Sequence, residues 1–129
     1  MALKMKKMFV ESTNKTPQID LDPENGVLQI KGVSIPEDAN RIYTPVVEWA
    51  ERYVRHTELF LTVVRIKIIY FNTSTSDYLM NFLKTFKKLG EKVRYEWYFE
   101  TDDDDMKETG IHFESILEVK FHYIEVEEI

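Results

Sequence analysis

Cysteine is absent from the 129 residues. That removes thiol catalysis, thiolate metal sites and disulfide frameworks together, and it is compatible with a reducing cytosol. Only four glycines occur, and no GxSxG, P-loop or dinucleotide-binding glycine pattern is among them, so a loop that cradles phosphates has little to be built from. The longest apolar run, Ile66 to Phe71, is interrupted by Lys67 and falls far short of a membrane span. Positive charge is also scarce: 17 Lys and Arg against 23 Asp and Glu give a net charge of −6. The lysines are scattered apart from Lys87 and Lys88, whereas a protein that gains affinity from phosphate contacts carries a basic stripe. Nucleic acid and membrane are therefore not expected partners. The opening MALKMKKMFV has lysines but no sustained apolar core and no small-residue cleavage site, and it reads as a loose tail rather than a signal peptide.

What is present is a single domain's worth of alternating patterns. The length fits one domain that buries roughly two-thirds of its unfolded surface without staples. No repeat or low-complexity linker divides it. We expect a flexible tail over residues 1–7 and one domain over 8–129. Ile19 and Leu21, then Val27, Leu28 and Ile30, flank the turn sequence DPENG and predict a hairpin, with a short edge strand near Met8 to Ser12. Pro36 and Glu37 open a helix whose Ile42, Val46, Trp49, Ala50, Tyr53 and Val54 recur at helical spacing, with Pro45 as a candidate kink. Leu61 to Phe71 reads as a central strand covered on both faces. Leu79, Phe82, Leu83, Phe86 and Leu89 form one helical stripe ending at Gly90. Lys92 to Phe99 alternates Val93, Tyr95, Trp97 and Phe99 on one face. A helix over about Asp104 to Leu117 and a strand over Val119 to Val126 complete the chain. Helices between strands predict an α/β fold: a mixed sheet with a parallel part and packed helices.

The residue types offer little catalytic chemistry. His56, His112 and His122 are far apart and show no metal-ligand spacing. Asp102 to Asp105 form a run that could serve a metal-dependent enzyme, but an EF-hand loop alternates its ligands and needs glycine at the sixth position, where Lys107 stands. The plainer reading is a helix start, where acids favour the dipole. No catalytic residue, metal site or cofactor is expected. One feature is in surplus: YFNTSTSD places Thr73, Ser74, Thr75 and Ser76 between the central strand and the amphipathic helix. One hydroxyl suffices to cap that helix, and Ser74, Thr75 or Ser76 could do so. A helix start also tolerates a phosphate, because its free N–H groups and dipole receive negative charge. Capping and phosphorylation are compatible, one hydroxyl doing each.

The segments STNKTPQIDLDPENGVLQIKGVSIPEDANRIYTPVVEWAERY, IIYFNTSTSDYLM and EWYFETDDDDMKETG together resemble the SiaC-family regulatory phosphoproteins over nearly the whole chain. The first block carries the resemblance most specifically, with its TP, KGxSxPE and YxPVxxW in order. The resemblance implies a STAS-like fold and a protein without catalytic activity of its own. It further implies a kinase that phosphorylates it, a PP2C-type phosphatase that reverses this, and an unmodified form that binds a regulated partner. In that family the partner is a diguanylate cyclase, whose product is cyclic di-GMP, and the setting is a bacterial cytoplasm. The family's phosphoacceptor follows the asparagine after the central strand. Here that is Thr73, after Asn72, with Ser74 and Thr75 as alternates; Asn72, Thr73, Ser74 and Asp77 are the expected partner-binding residues. Asp77 departs from the lysine expected in many relatives. A purely structural interaction module is the remaining alternative.

Overall fold

The computed structural model describes residues 5–129. Three strands open the chain: β1 (Met8–Val10), β2 (Gln18–Asp22) and β3 (Val27–Ser34). Asp22 makes the β2–β3 turn by accepting the N–H groups of Glu24 and Asn25 at 3.0 and 3.2 Å. Then come α1 (Ala39–His56), β4 (Thr62–Phe71), α2 (Thr73–Thr85), a 3-10 segment (Phe86–Lys92), β5 (Val93–Glu100), α3 (Asp104–Leu117) and β6 (Phe121–Val126). The six strands form one sheet in chain order. The β1–β2 and β2–β3 pairs are antiparallel; the β3–β4, β4–β5 and β5–β6 pairs are parallel. The expected mixed sheet with a parallel part is thus the observed fold.

Because the strands follow in sequence, each crossover steps the same way across the sheet. Right-handed crossovers of that kind place α1, α2 and α3 on one face. Burial agrees with this. Leu28, Ile30, Val64, Ile66, Ile68, Tyr95, Trp97 and Phe121 are buried under the helices. Their neighbours Gln29, Lys31, Val63, Arg65, Lys67, Tyr98 and His122 point the other way and are half-buried. The expectation that the central strand is covered on both faces fails: it is covered on one, and the opposite face of the sheet carries no helix among the described residues.

The helices meet the core as their stripes predict. Tyr43, Val46, Ala50 and Tyr53 of α1 and Leu79, Phe82 and Leu83 of α2 are buried, with Phe86 beyond them. Helix α1 runs through Pro45 without a break, its start capped by Asp38, which accepts from Arg41 N–H at 3.3 Å. Helix α2 stops at Thr85 and tightens into the 3-10 segment instead of running to Gly90, whose φ of 60 turns the chain toward β5. In α3, Gly110 sits against the Trp97 ring so closely that a Cβ there would come within 2.7 Å of it. Residues 1–4 of the expected tail lie outside the described residues. Past them, the Lys6 carbonyl accepts from the Trp49 indole at 3.0 Å and Lys7 pairs with Asp20 at 3.3 Å.

Candidate functional site at the start of helix α2

Strand β4 leaves the sheet at Phe71, and the chain turns directly into α2. Asn72 makes that turn. Its extended backbone donates to Ser34 O at 3.1 Å, anchoring it to the end of β3. Its side chain accepts Thr75 N–H at 3.1 Å and the Ser74 hydroxyl at 3.0 Å. The cap is therefore Asn72, not Ser74, Thr75 or Ser76 as the hydroxyl run suggests. An Asn at this position reaches the third helical N–H as well as Ser or Thr does, and it stands one residue ahead of them.

The four hydroxyls separate into different environments. Thr73 is the first helical residue; it is exposed, and its hydroxyl makes no hydrogen bond among the described residues. Ser74 is exposed but tied to Asn72. Ser76 is half-buried. Thr75 is fully buried: its hydroxyl donates to Ser34 O at 3.1 Å and lies 2.9 Å from Ser34 Oγ, which in turn lies 2.7 Å from the Tyr43 hydroxyl. Thr75 is thus no acceptor in this fold. A kinase cannot reach it, and a phosphate there would be a dianion without water. Burial pushes the Tyr43 phenol up to about 12, against the opposing hydrogen bonds with Ser34 and Thr75. The chain Thr75–Ser34–Tyr43 is accordingly a neutral, fully bonded hydroxyl network that joins α2, β3 and α1.

The first N–H groups of a helix have no intrahelical partner. With Thr75 N–H taken by Asn72, those of Thr73 and Ser74 are left at the helix mouth, beside the free Thr73 hydroxyl. Asp77 is exposed one turn on, at the i+4 position on the same helix face as Thr73. Of the expected partner-binding residues, Thr73, Ser74 and Asp77 therefore share an exposed surface, while Asn72 is turned inward to cap.

Two apolar side chains beside this surface escaped the sequence reading. The register between β3 and β4 shifts after Gly32, so that Val33 pairs with Tyr70 and Ile69 is left over as a bulge. In regular alternation only one of two consecutive residues faces outward. Here Ile69 and Tyr70 are both exposed, at 37% and 59%. The apolar run KIIYF conceals them; no sequence signal marks the extra residue.

The acidic run sits past the end of β5. Asp102 takes a left-handed turn with φ of 70, Asp103 caps α3 by accepting Met106 N–H at 3.1 Å, and Asp104 and Asp105 lie in its first turn. This is the helix-start arrangement. No group of three or more His, Asp or Glu among the described residues is placed to share a metal ion. A hollow of about 920 Å³ lies at the other end of the sheet, between Met5–Lys7, the β2–β3 turn and the end of α1, away from Thr73.

A small α/β domain with exposed hydroxyls at one helix mouth, a free N–H pair beside them and a partly apolar rim has the make-up of a regulatory domain that is recognised on its surface. The chain belongs to a family of that kind: residues 10–126 match the model of the SiaC family regulatory phosphoproteins. An uncharacterized protein of Pseudomonas aeruginosa is 25% identical over 112 residues, which cover 84% of this chain and 88% of that protein. The fold matches the crystal structure of apo-SiaC from Pseudomonas aeruginosa with a TM-score of 0.78 at 23% identity, over 94% of this chain and 98% of that one. It also matches a chain in the crystal structure of diguanylate cyclase SiaD with its activator SiaC from the same organism, with a TM-score of 0.77 at 22% identity, over 92% and 97%.

Proposed function

We propose that this protein is a non-enzymatic switch, phosphorylated on Thr73 by a protein kinase and restored by a PP2C-type phosphatase, whose unphosphorylated form binds and regulates a partner protein. By likeness to SiaC, which is described as the activator of the diguanylate cyclase SiaD, that partner is a diguanylate cyclase and the output is cyclic di-GMP in a bacterial cytoplasm. The observation that carries the reading is the contrast along the hydroxyl run. Thr73 alone combines exposure, an unbonded hydroxyl and unpaired helix N–H groups, in a chain of a phosphoprotein family.

The physics of the switch is a change of charge at a surface. A phosphate adds about −1.5 to −2 charges to a chain that already carries −6. The helix mouth receives it without disturbing the core. Asp77, one turn away, repels it, so the phosphate is held less firmly than with a lysine there and faces outward. A partner surface shaped for a neutral threonine must then desolvate a dianion without a matching cation, which costs several kcal/mol. That is more than a hundredfold in affinity.

The test is binding of purified protein to the diguanylate cyclase of its host, with wild type, Thr73→Ala and Thr73→Glu. Wild type and Thr73→Ala are expected to bind alike; Thr73→Glu is expected to lose binding while melting near wild type. Retained binding by Thr73→Glu, with phosphate mapping to Ser74, would move the acceptor by one residue. No modification anywhere in the run would remove the switch.

A further inference from the structure

The helix-free face of the sheet has an organised charge pattern that the switch does not use. Following the register across all six strands, one row reads Phe9, Asp20, Gln29, Arg65, Glu96, His122. Glu96 is buried at its centre by its own partners: Arg65 Nε at 2.9 Å, Arg94 Nε at 2.8 Å and the Tyr98 hydroxyl at 3.1 Å. This carboxylate is fully engaged. The next row is different. Lys31 of β3 lies directly opposite Lys67 of β4, and neither makes an ion pair among the described residues. The Lys67 ammonium stands over the Tyr98 ring at 4.5 Å.

Like charges directly opposite in a sheet are destabilising. The strands lie about 4.8 Å apart, and although the Lys67 ammonium leans toward Tyr98, the charge of Lys31 still acts against it. Burial and the neighbouring charges of Arg65 and Lys31 hold the Lys67 ammonium below its ordinary range, with Glu96 opposing them only in part. A chain with a net charge of −6 thus gathers unpaired cations on the sheet face opposite its helices. Along the same strand and on the same face, the bulge then presents Ile69 and Tyr70 to solvent. Cations followed by an apolar rim form a composite surface, complementary in charge and polarity to a helix that carries carboxylates beside an apolar stripe.

We propose that this face docks an acidic amphipathic helix of a partner protein, its carboxylates over Lys31 and Lys67 and its apolar side chains on Ile69 and Tyr70. The proposal rests on the reading of the protein as a partner-binding regulator and supplies the contact chemistry of that partner. A protein helix fits better than a nucleic acid or a lipid surface, because two unpaired cations beside an apolar rim match a few carboxylates next to an apolar stripe and fall far short of the basic stripe that a phosphate backbone needs. The surface also ends three residues before Thr73, so a phosphate there would repel the same acidic helix at its edge.

The experiment uses the full chain, labelled for amide NMR, and a synthetic 16-residue helical peptide with a leucine stripe flanked by glutamates. Its controls are the same peptide with lysines for glutamates, phosphatidylserine vesicles and a single-stranded oligonucleotide. The acidic peptide is expected to shift the amides of Lys31, Lys67, Ile69 and Tyr70, to bind more weakly as salt rises, and to lose at least tenfold in affinity to Lys31→Glu/Lys67→Glu. The single change Lys31→Glu is expected to melt no lower than wild type, since it replaces a repulsion with a pair. Shifts elsewhere, an unchanged affinity in the double variant, or preferred binding of vesicles, oligonucleotide or the basic peptide overturns the proposal. Phosphate mapping of Thr73 is read separately, so a docking face without a switch and a switch without this docking face give different results.

Discussion

Replacing Thr75 by valine keeps the shape of the side chain and removes only its hydroxyl, in the one place where the hydroxyl run is structural. The lost groups are a donor to Ser34 O at 3.1 Å and a contact with Ser34 Oγ at 2.9 Å. Neither partner is stranded. Ser34 O still accepts from Asn72 N–H at 3.1 Å, and Ser34 Oγ still meets the Tyr43 hydroxyl at 2.7 Å. With each net hydrogen bond contributing about 0.5–1.5 kcal/mol, the two lost in Thr75→Val are expected to cost about 1–3 kcal/mol. Tyr43→Phe breaks the other end of the chain and costs about 1 kcal/mol by the same reasoning. Combined, the two changes leave a buried Ser34 hydroxyl with no side-chain partner, which adds a desolvation penalty of about 1–3 kcal/mol. The double variant must therefore lose more than the sum of the singles. Urea melts of the four proteins measure this directly. Additive losses, or a Thr75→Val that melts like wild type, would falsify the network. Thr75→Glu supplies the contrast: a carboxylate at a fully buried site should abolish the cooperative transition, whereas Thr73→Glu two residues earlier should leave it in place.

Three further expectations follow from packing and charge. Phe82 is fully buried, so Phe82→Ala should cost about 3–5 kcal/mol in urea melts; a loss below about 1 kcal/mol would mean that the α2 stripe does not face the core. Gly110→Ala forces a methyl into the Trp97 ring and should destabilise by about 1–3 kcal/mol, with a shifted tryptophan emission as a second readout. Burial raises the Glu96 pKa, but the hydrogen bonds from Arg94, Arg65 and Tyr98 outweigh it and leave the carboxyl below its ordinary value of 4.5. A depressed folded-state pKa gives stability that is present above the unfolded value and is lost as pH falls through the folded one. The stability gap between wild type and Glu96→Gln should hold from neutral pH down to about 4.5 and close below it; a gap that widens on acidification would contradict the pairing.

The sequence displayed the inner half of this molecule and hid the outer half. Val93, Tyr95, Trp97 and Phe99 alternate, and Leu79, Phe82, Leu83 and Phe86 recur at helical spacing, because burial against one layer imposes those periods. The element order then implied the parallel sheet. By contrast, nothing in IIYF signals that Ile69 is an extra residue, since a bulge changes pairing and not composition. Lys31 and Lys67 are 36 positions apart in the chain, and only register makes them neighbours. The central strand looked covered on both faces because Val63 and Ile69 are apolar, yet they face outward. At the site, the choice of Thr73 came from the family resemblance and not from any pattern in the residues, and which of Asn72, Ser74, Thr75 and Ser76 caps the helix depends on where β4 lets go. Strand β4 ends at Phe71, and Asn72 is the next residue.

Phosphate mapping of the protein purified from its native host, by intact mass and then by peptide fragmentation, tests the central claim most directly. The account predicts two species separated by one phosphate, with that phosphate on Thr73 and with only the unmodified species retained by the host's diguanylate cyclase. A phosphate on buried Thr75, equal retention of both species, or a single unmodified species under every growth condition would contradict it.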